Sequence, residues 1–384
     1  YPYMKKLLLR NTIPARAAAG LIVALVLSGC ASSGDSTVGY YWQSLRGHMA
    51  LMNAGKPVQD WIEDPGTQPA LRERLTLAKT AREFAIKELG LPDNASYRRY
   101  AQLGRNAAVW NVVGAAPYSL QLHTWCFPVT GCIGYRGYFA EADAKAESER
   151  LAADGLEISV YPVPAYSTLG YSNWLGGDPL LNTFIGWPEG DFVRLLFHEL
   201  AHQVVYASGD TGFNESYATA VERLGVDLWL SEHSTPKARA EFNSSEKRRS
   251  QFRALTQDTR VQLAKVYDAK APDMPAQKAA AMQQFRDRYA ALCKEWADEG
   301  IKPAQLTNLD RWVLEANNAS FGAQGAYDDL VPAFVALFER EQKNWPRFHE
   351  AVKQLAALPR EERHAALAAL VPPQHAMAIP AAQR

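Results

Sequence analysis

The chain has 384 residues, 47% of them hydrophobic, enough to build a large core in one domain or two. Basic and acidic residues number 41 each, so the formal net charge is zero. No field of one sign is available to grip a phosphate backbone, which argues against nucleic acid as a partner.

From Met4 the chain runs KKLLLRNTIPARAAAGLIVALVLSGC. Lys5, Lys6, Arg10 and Arg16 give a basic start, and Ala17 to Leu27 an apolar run short for a permanent membrane span. The four residues LSGC, Leu27 to Cys30, resemble the bacterial lipobox. That implies a lipoprotein signal peptide over residues 1–30, acylation of Cys30 and a membrane-anchored mature chain over residues 31–384. Ala31, rather than an aspartate, follows the cysteine, which by the same resemblance points to the outer membrane, facing the periplasm. Export to an oxidising compartment makes Cys126 and Cys132, close together in HTWCFPVTGCIGYRGYF, the expected disulfide. Cys293 is left over beside an apolar helical stripe and is expected to be buried and inert.

The body opens with helix. YYWQSLRGHMALMNA and LRERLTLAKTAREFAIKELG both carry apolar residues at helical spacing, and the second stops at Gly90 and Pro92. NAAVWNVVGAAPYSLQLHTW reads as two strands around a Gly/Pro turn. AEADAKAESERLAADG is a helix ended by Gly155. LEISVYPVPAYS is a strand that Pro162 and Pro164 push to a sheet edge, where an extended substrate backbone could lie. A Gly/Pro/Asn-rich loop follows, and Asp191 opens the next helix. Over residues 237–300, Phe252, Leu255, Thr259, Leu263 and Val266, then Met282, Phe285, Tyr289, Leu292 and Trp296, recur three and four apart around KAPDMPAQ. This predicts a long helical hairpin that packs and carries no chemistry. The Ala/Pro-rich tail from Pro359 is expected to fray.

The chemistry lies in LLFHELAHQVVYASGDTGFNESYATAVERLG, Leu195 to Gly225. His198, Glu199 and His202 form H-E-x-x-H. On a helix, positions i and i+4 share a face, so two imidazoles can bind one Zn²⁺ while Glu199 stands beside them as a base. Phe192, Val193, Leu196, Leu200 and Val204 bury the other faces of that helix. A third ligand is needed. Val205 and Ser208 occupy the positions where a metzincin continuation needs glycine and histidine, so that class is excluded. Two glutamates remain on the following helix, Glu215 and Glu222, seven apart and on one face. Glu215, in FNESYAT, resembles the N-E-G-F-A context of gluzincin aminopeptidases, with Ser216 in place of glycine. It is taken as the ligand. Glu222 suits the longer gap of those enzymes and is the alternative ligand, or a carboxylate behind a ligand histidine. Asp210-Thr211-Gly212 copies the aspartic protease triplet, but that chemistry needs two such carboxylates side by side on β-scaffolds, and only one is present.

With the lipobox, GYYWQSL, WCFPVTGCIGYRGYF, AYSTLGY, HELAHQVVY, DTGFNES and NNASFGAQGAYDDLVPAF, the chain resembles a family of predicted bacterial zinc aminopeptidases that carry lipoprotein leaders. The resemblance implies an α-dominant α+β fold, a zincin-like core with a small sheet before the H-E-x-x-H helix, and hydrolysis of peptides with Zn²⁺ as cofactor. Gluzincins use a tyrosine after the site to stabilise the oxyanion; Tyr327 is the candidate, with Tyr217 behind it. An envelope endopeptidase, an amidase acting on cell-wall peptides, and a scaffold with a dead zinc site stay open beside the aminopeptidase. Intact Glu199 speaks against the last.

Overall fold

The computed structural model describes residues 37–127, 131–168 and 176–371, without the side chains of residues 37, 38, 326 and 327. Cys30 and the leader lie outside the described residues, and so does the tail from 372. The chain divides into two units, residues 1–46 and 47–384. The first is described only as the opening turns of helix α1 (Thr37–Ala54). Among the described residues no helix is long and apolar enough to cross a membrane.

The second unit is helix-dominant α+β. After a short strand β1 (Lys56–Pro57) and helix α2 (Val58–Glu63) comes α3 (Pro69–Lys87). Pro69 suits the first turn of α3, where no N–H is needed. Leu75, Ala78, Ala81 and Ala85 line its buried face, and Gly90, in the left-handed region, turns the chain away. Strand β2 (Arg99–Ala101) pairs antiparallel with β1 and parallel with the later β8 (Leu180–Leu181).

The expected pair of strands around Pro117 is only half present. β3 (Val109–Ala115) forms, but beyond Pro117 a single bridge, Ala115 to Leu122, is left of the second strand. One edge of β3 is taken along its length, and the other over Trp110–Val112. β6 (Arg136–Tyr138) pairs with it in the register Trp110↔Tyr138. On the other side lies β7 (Glu157–Val163), in the register Val112↔Val160. β7 is an edge strand, in keeping with Pro162 inside it, and Pro164 lies just past its end. Between β3 and β6 a small hairpin, β4 (Trp125–Phe127) and β5 (Gly131–Ile133), carries the Cys126–Cys132 disulfide. Helix α4 (Glu141–Ala153) ends before Gly155, whose φ of +84° reverses the chain into β7.

The next two helices, α5 (Glu189–Ala201) and α6 (Thr211–Glu232), form the centre of the core. Phe192, Leu196, Phe197 and Leu200 of α5 meet Tyr217, Val221 and Trp229 of α6, and Phe84 of α3 stacks on Phe197. Then come α7 (Pro236–Ala269) and α8 (Met274–Asp298), the expected hairpin, closed by Lys270 in the left-handed conformation. Phe252, Leu255, Leu263, Met282, Phe285 and Trp296 form its seam. Cys293 beside it is half-buried rather than buried. Helices α9 (Thr307–Glu315), α10 (Asn318–Asp328), α11 (Val331–Arg340), α12 (Trp345–Ala357) and α13 (Arg360–Ala368) complete the unit. α13 corrects the expectation of a frayed tail from Pro359. Leu367 is buried in the main core, and Arg363 is buried against Asp210. An alanine-rich segment holds here because one arginine gives it an anchor.

Candidate metal centre

Glu189 and Asp191 sit in the first turn of α5, where carboxylates favour the exposed N–H groups; Asp191 is inside that turn rather than at its start. His198 and Glu199 lie in the last turn. His202 is the cap, still in helical conformation, and its N–H reaches the carbonyl of His198 at 3.3 Å. The i, i+4 relation therefore persists past the end of the helix. The two rings stand at 85° to each other, 4.7 Å between centroids.

The turn after α5 is folded by Asn214. Its Oδ1 accepts from Ala207 N at 2.7 Å and its Nδ2 donates to Ala207 O at 2.8 Å. Asp210 caps α6 by accepting from Phe213 N. These contacts return the chain so that Glu215 faces α5. Farther along, Gly225 lets the helices close. A Cβ there would stand 2.9 Å from Phe197 Cδ2 and 2.7 Å from Leu89 Cδ1. Ser216, where the gluzincin pattern has glycine, accepts from Leu330 N at 3.3 Å and ties α6 to the start of α11.

The result is a buried triad. His198 Nε2 and His202 Nε2 are 3.1 Å apart, and Glu215 Oε2 is 3.3 Å and 3.5 Å from them. Four ligands arranged tetrahedrally around zinc at its usual bond lengths are about 3.3 Å from one another. The three edges match that spacing, and two nitrogens with one carboxylate oxygen are a donor set zinc accepts. Among the described residues this is the one group of His, Cys, Asp and Glu that could hold a metal ion. Glu222 stands behind it, its Oε2 2.9 Å from His198 Nδ1, so it orients an imidazole rather than joining the triad. Burial works against a proton on His198, but Glu215 and Glu222 more than offset this and raise its pKa. Burial likewise opposes charge on Glu215, and the two histidines overcome it and hold Glu215 well below the usual carboxylate range. Glu199 is half-buried beside them; burial raises its pKa, against the pull of both histidines.

Three tyrosines feel the charge of these carboxylates. Burial, and after it the charge of Glu215, puts Tyr135 well above its ordinary range, with Tyr206, Tyr161 and Glu199 adding. Tyr161, on β7, is pushed up to about 12 by burial, with Glu215 adding and the Asn111 bond opposing. Tyr97 is buried with φ of +61°, and burial, Glu199 and Asp178 raise it. None of these was singled out from sequence. The available signal was that Tyr135 lies in CIGYRGYF and Tyr161 in the strand before the motif helix. Of the two tyrosines that were, Tyr327 is on α10 with its side chain outside the described residues. Tyr217 is fully buried and its hydroxyl bonds His349 Nδ1 at 2.8 Å, so it is a core residue and not an oxyanion donor. Asp210 is likewise engaged elsewhere, with Arg363 Nη1 at 2.7 Å and His364 Nε2 at 2.8 Å.

Neither the curated proteins nor the solved structures give a match to the chain. A family model does, over residues 39–367, which takes in the triad, Glu199 and the helical hairpin. By that match the chain belongs to the family described as "Putative aminopeptidase".

Proposed function

We propose that this chain is a zinc-dependent aminopeptidase of the bacterial cell envelope, with a zincin-like core, held to the outer membrane through acylated Cys30. One observation carries the peptidase reading: three buried donors spaced as the corners of a zinc tetrahedron, with a glutamate next in sequence to the first of them. The family membership supports the amino-terminal direction of attack, and the basic, apolar leader ending in LSGC supports the location.

When bound, zinc supplies Lewis acidity, which polarises a peptide carbonyl and brings the pKa of water close to 7. The chain's own residues do the rest. His198, His202 and Glu215 would be the ligands, and Glu222 holds His198 by Nδ1. Glu199 takes a proton from the attacking water on its carboxylate and hands it to the leaving nitrogen. Tyr161, on the strand before the motif helix, and Tyr135, both within the field of Glu215, are the phenols assigned as donors for the developing oxyanion. Part of the outer edge of β7 is already occupied, since Asn317 Nδ2 donates to Ile158 O at 2.8 Å. Backbone pairing with substrate therefore falls to the stretch nearer Tyr161.

Digestion of a mixed peptide library by the purified chain, with and without a chelator, tests this. The expected outcome is stepwise loss of amino-terminal residues that the chelator stops and added zinc restores. Internal cuts would move the assignment to an endopeptidase, and cleavage indifferent to chelation would overturn the metal-dependent reading.

A further inference from the structure

His198 does not stand alone on its helix face. Arg194 lies one turn before it on α5, and Glu222 of α6 reaches both. One carboxylate oxygen is 2.9 Å from His198 Nδ1, and the other is 3.8 Å from Arg194 Nε. Arg194 is in turn held from outside. Its Nη1 lies 3.3 Å from Glu246 Oε2, on the long helix α7. Glu246 also takes Arg249 Nε at 2.8 Å and Arg253 Nη2 at 2.5 Å. Arg249 returns to Asp191 of α5 at 2.7 Å. Arg253 approaches Asp328 at 4.0 Å, and Asp328 pairs with Arg223, next to Glu222 on α6, at 2.5 Å. The chain of charges thus starts at the ligand imidazole, crosses to the helical hairpin and comes back to the ligand helices.

We infer that Arg194, backed by Glu246, is a positioning residue of the metal centre, and that the helical hairpin acts on the centre through it. Every side chain in the path is at most about a third exposed, so solvent screens these pairs less than it does surface ones. A carboxylate between an imidazole and a guanidinium has its rotamer fixed from both sides. With Glu222 fixed 2.9 Å from Nδ1, the ring is held with its Nε2 facing His202 and Glu215. Without Arg194 the buried glutamate has one partner fewer and can swing off the ring, and the donor pair loses its orientation. The hairpin carries no metal-binding residue of its own, yet its α7 bears the outer anchor of this path.

This inference rests on the zinc reading above. The test compares zinc affinity, by competition with a chromophoric chelator, and thermal stability for the full chain and its variants. Arg194→Met is expected to weaken zinc binding by about tenfold, in the range seen when a group behind a ligand is lost. Arg194→Lys, which keeps the charge, should recover most of it. Glu246→Gln leaves Arg194 in place but loosens its outer hold. It should weaken zinc binding severalfold, and it serves as the second variant should Arg194→Met not fold. In a Glu222→Gln background, Arg194→Met should add nothing, because the path runs through that carboxylate. Unchanged zinc affinity in Arg194→Met and Glu246→Gln, or an equal loss with and without Glu222, would overturn the inference. Wild-type chain that takes up no zinc would instead overturn the metallopeptidase reading on which it stands.

Discussion

Two buried histidines show how one side chain is put to opposite uses. His198 is set among carboxylates, whereas the hydrogen-bond partners of His349 are neutral. Its Nε2–H donates to Leu89 O at 2.8 Å and its Nδ1 accepts from the Tyr217 hydroxyl at 2.8 Å, so the neutral ring is fully satisfied. Burial pushes its pKa down to about 4, against the Leu89 bond, with the charge of Lys353 adding. The folded pKa lies below the unfolded value near 6.5, so the unfolded chain binds the proton first as pH falls. Its stabilising contribution is complete above about pH 6.5 and fades as pH drops towards 4, by at most roughly 3 kcal/mol. Urea unfolding at pH 7 and pH 4.5 should show a smaller difference for His349→Gln than for wild type; an identical pH dependence would contradict this. The tyrosines make a second case. Tyr161→Phe and Tyr135→Phe remove only a hydroxyl. The one that serves the oxyanion should lose about 10²–10³ in kcat, with zinc content unchanged. If neither variant slows turnover, the donors have been misplaced.

Helix α6 supplies two carboxylates to the centre, and its start is fixed from the far end of the chain. Asp210 caps the helix through Phe213 N and receives Arg363 and His364 of α13. Asp210 is 1% exposed and Arg363 5%, so this ion pair is not a surface one. Removing one partner of such a pair leaves a buried charge, at a cost of about 3–5 kcal/mol, to which loss of the cap adds about 1 kcal/mol. Both Asp210→Ala and Asp210→Asn leave the Arg363 charge without its partner, but only Asn keeps an acceptor for the cap, so Asp210→Ala should unfold at lower denaturant than Asp210→Asn, and both well below wild type. Equal midpoints for the two would show that the cap contributes little, and a wild-type midpoint for either would show the same of the ion pair. The aspartate of the Asp-Thr-Gly triplet thus serves as the N-cap of the helix that carries Glu215 and Glu222.

At the scale of the whole molecule, what could be read from sequence was what repeats or what is spaced. The i, i+4 histidines, the hairpin seam from Phe252 to Trp296 and the edge position of the strand with Pro162 each follow from local sequence, and each is found in the fold. What escaped was non-local. Nothing near Arg363 says that its partner is Asp210, and nothing near Tyr135 or Tyr161 says that their neighbour is Glu215. The second strand expected after Pro117 is cut to a single bridge, while β3 pairs instead with the more distant β6 and β7. The leader gives a prediction of its own: Cys30→Ala should accumulate as an uncleaved, unacylated precursor, and mature protein normally anchored in the membrane would contradict the lipoprotein assignment. The most direct test of the central claim is zinc content, read beside peptidase rate, in wild type, Glu199→Gln and Glu215→Gln. Wild type and Glu199→Gln should each hold about one zinc per chain, with Glu199→Gln slower by about 10²–10⁴ for want of its base. Glu215→Gln should bind zinc weakly, since a neutral amide is a poor replacement for a carboxylate ligand. Zinc retained by Glu215→Gln as tightly as by wild type, or a wild-type chain that neither binds zinc nor cuts peptides, would contradict the account.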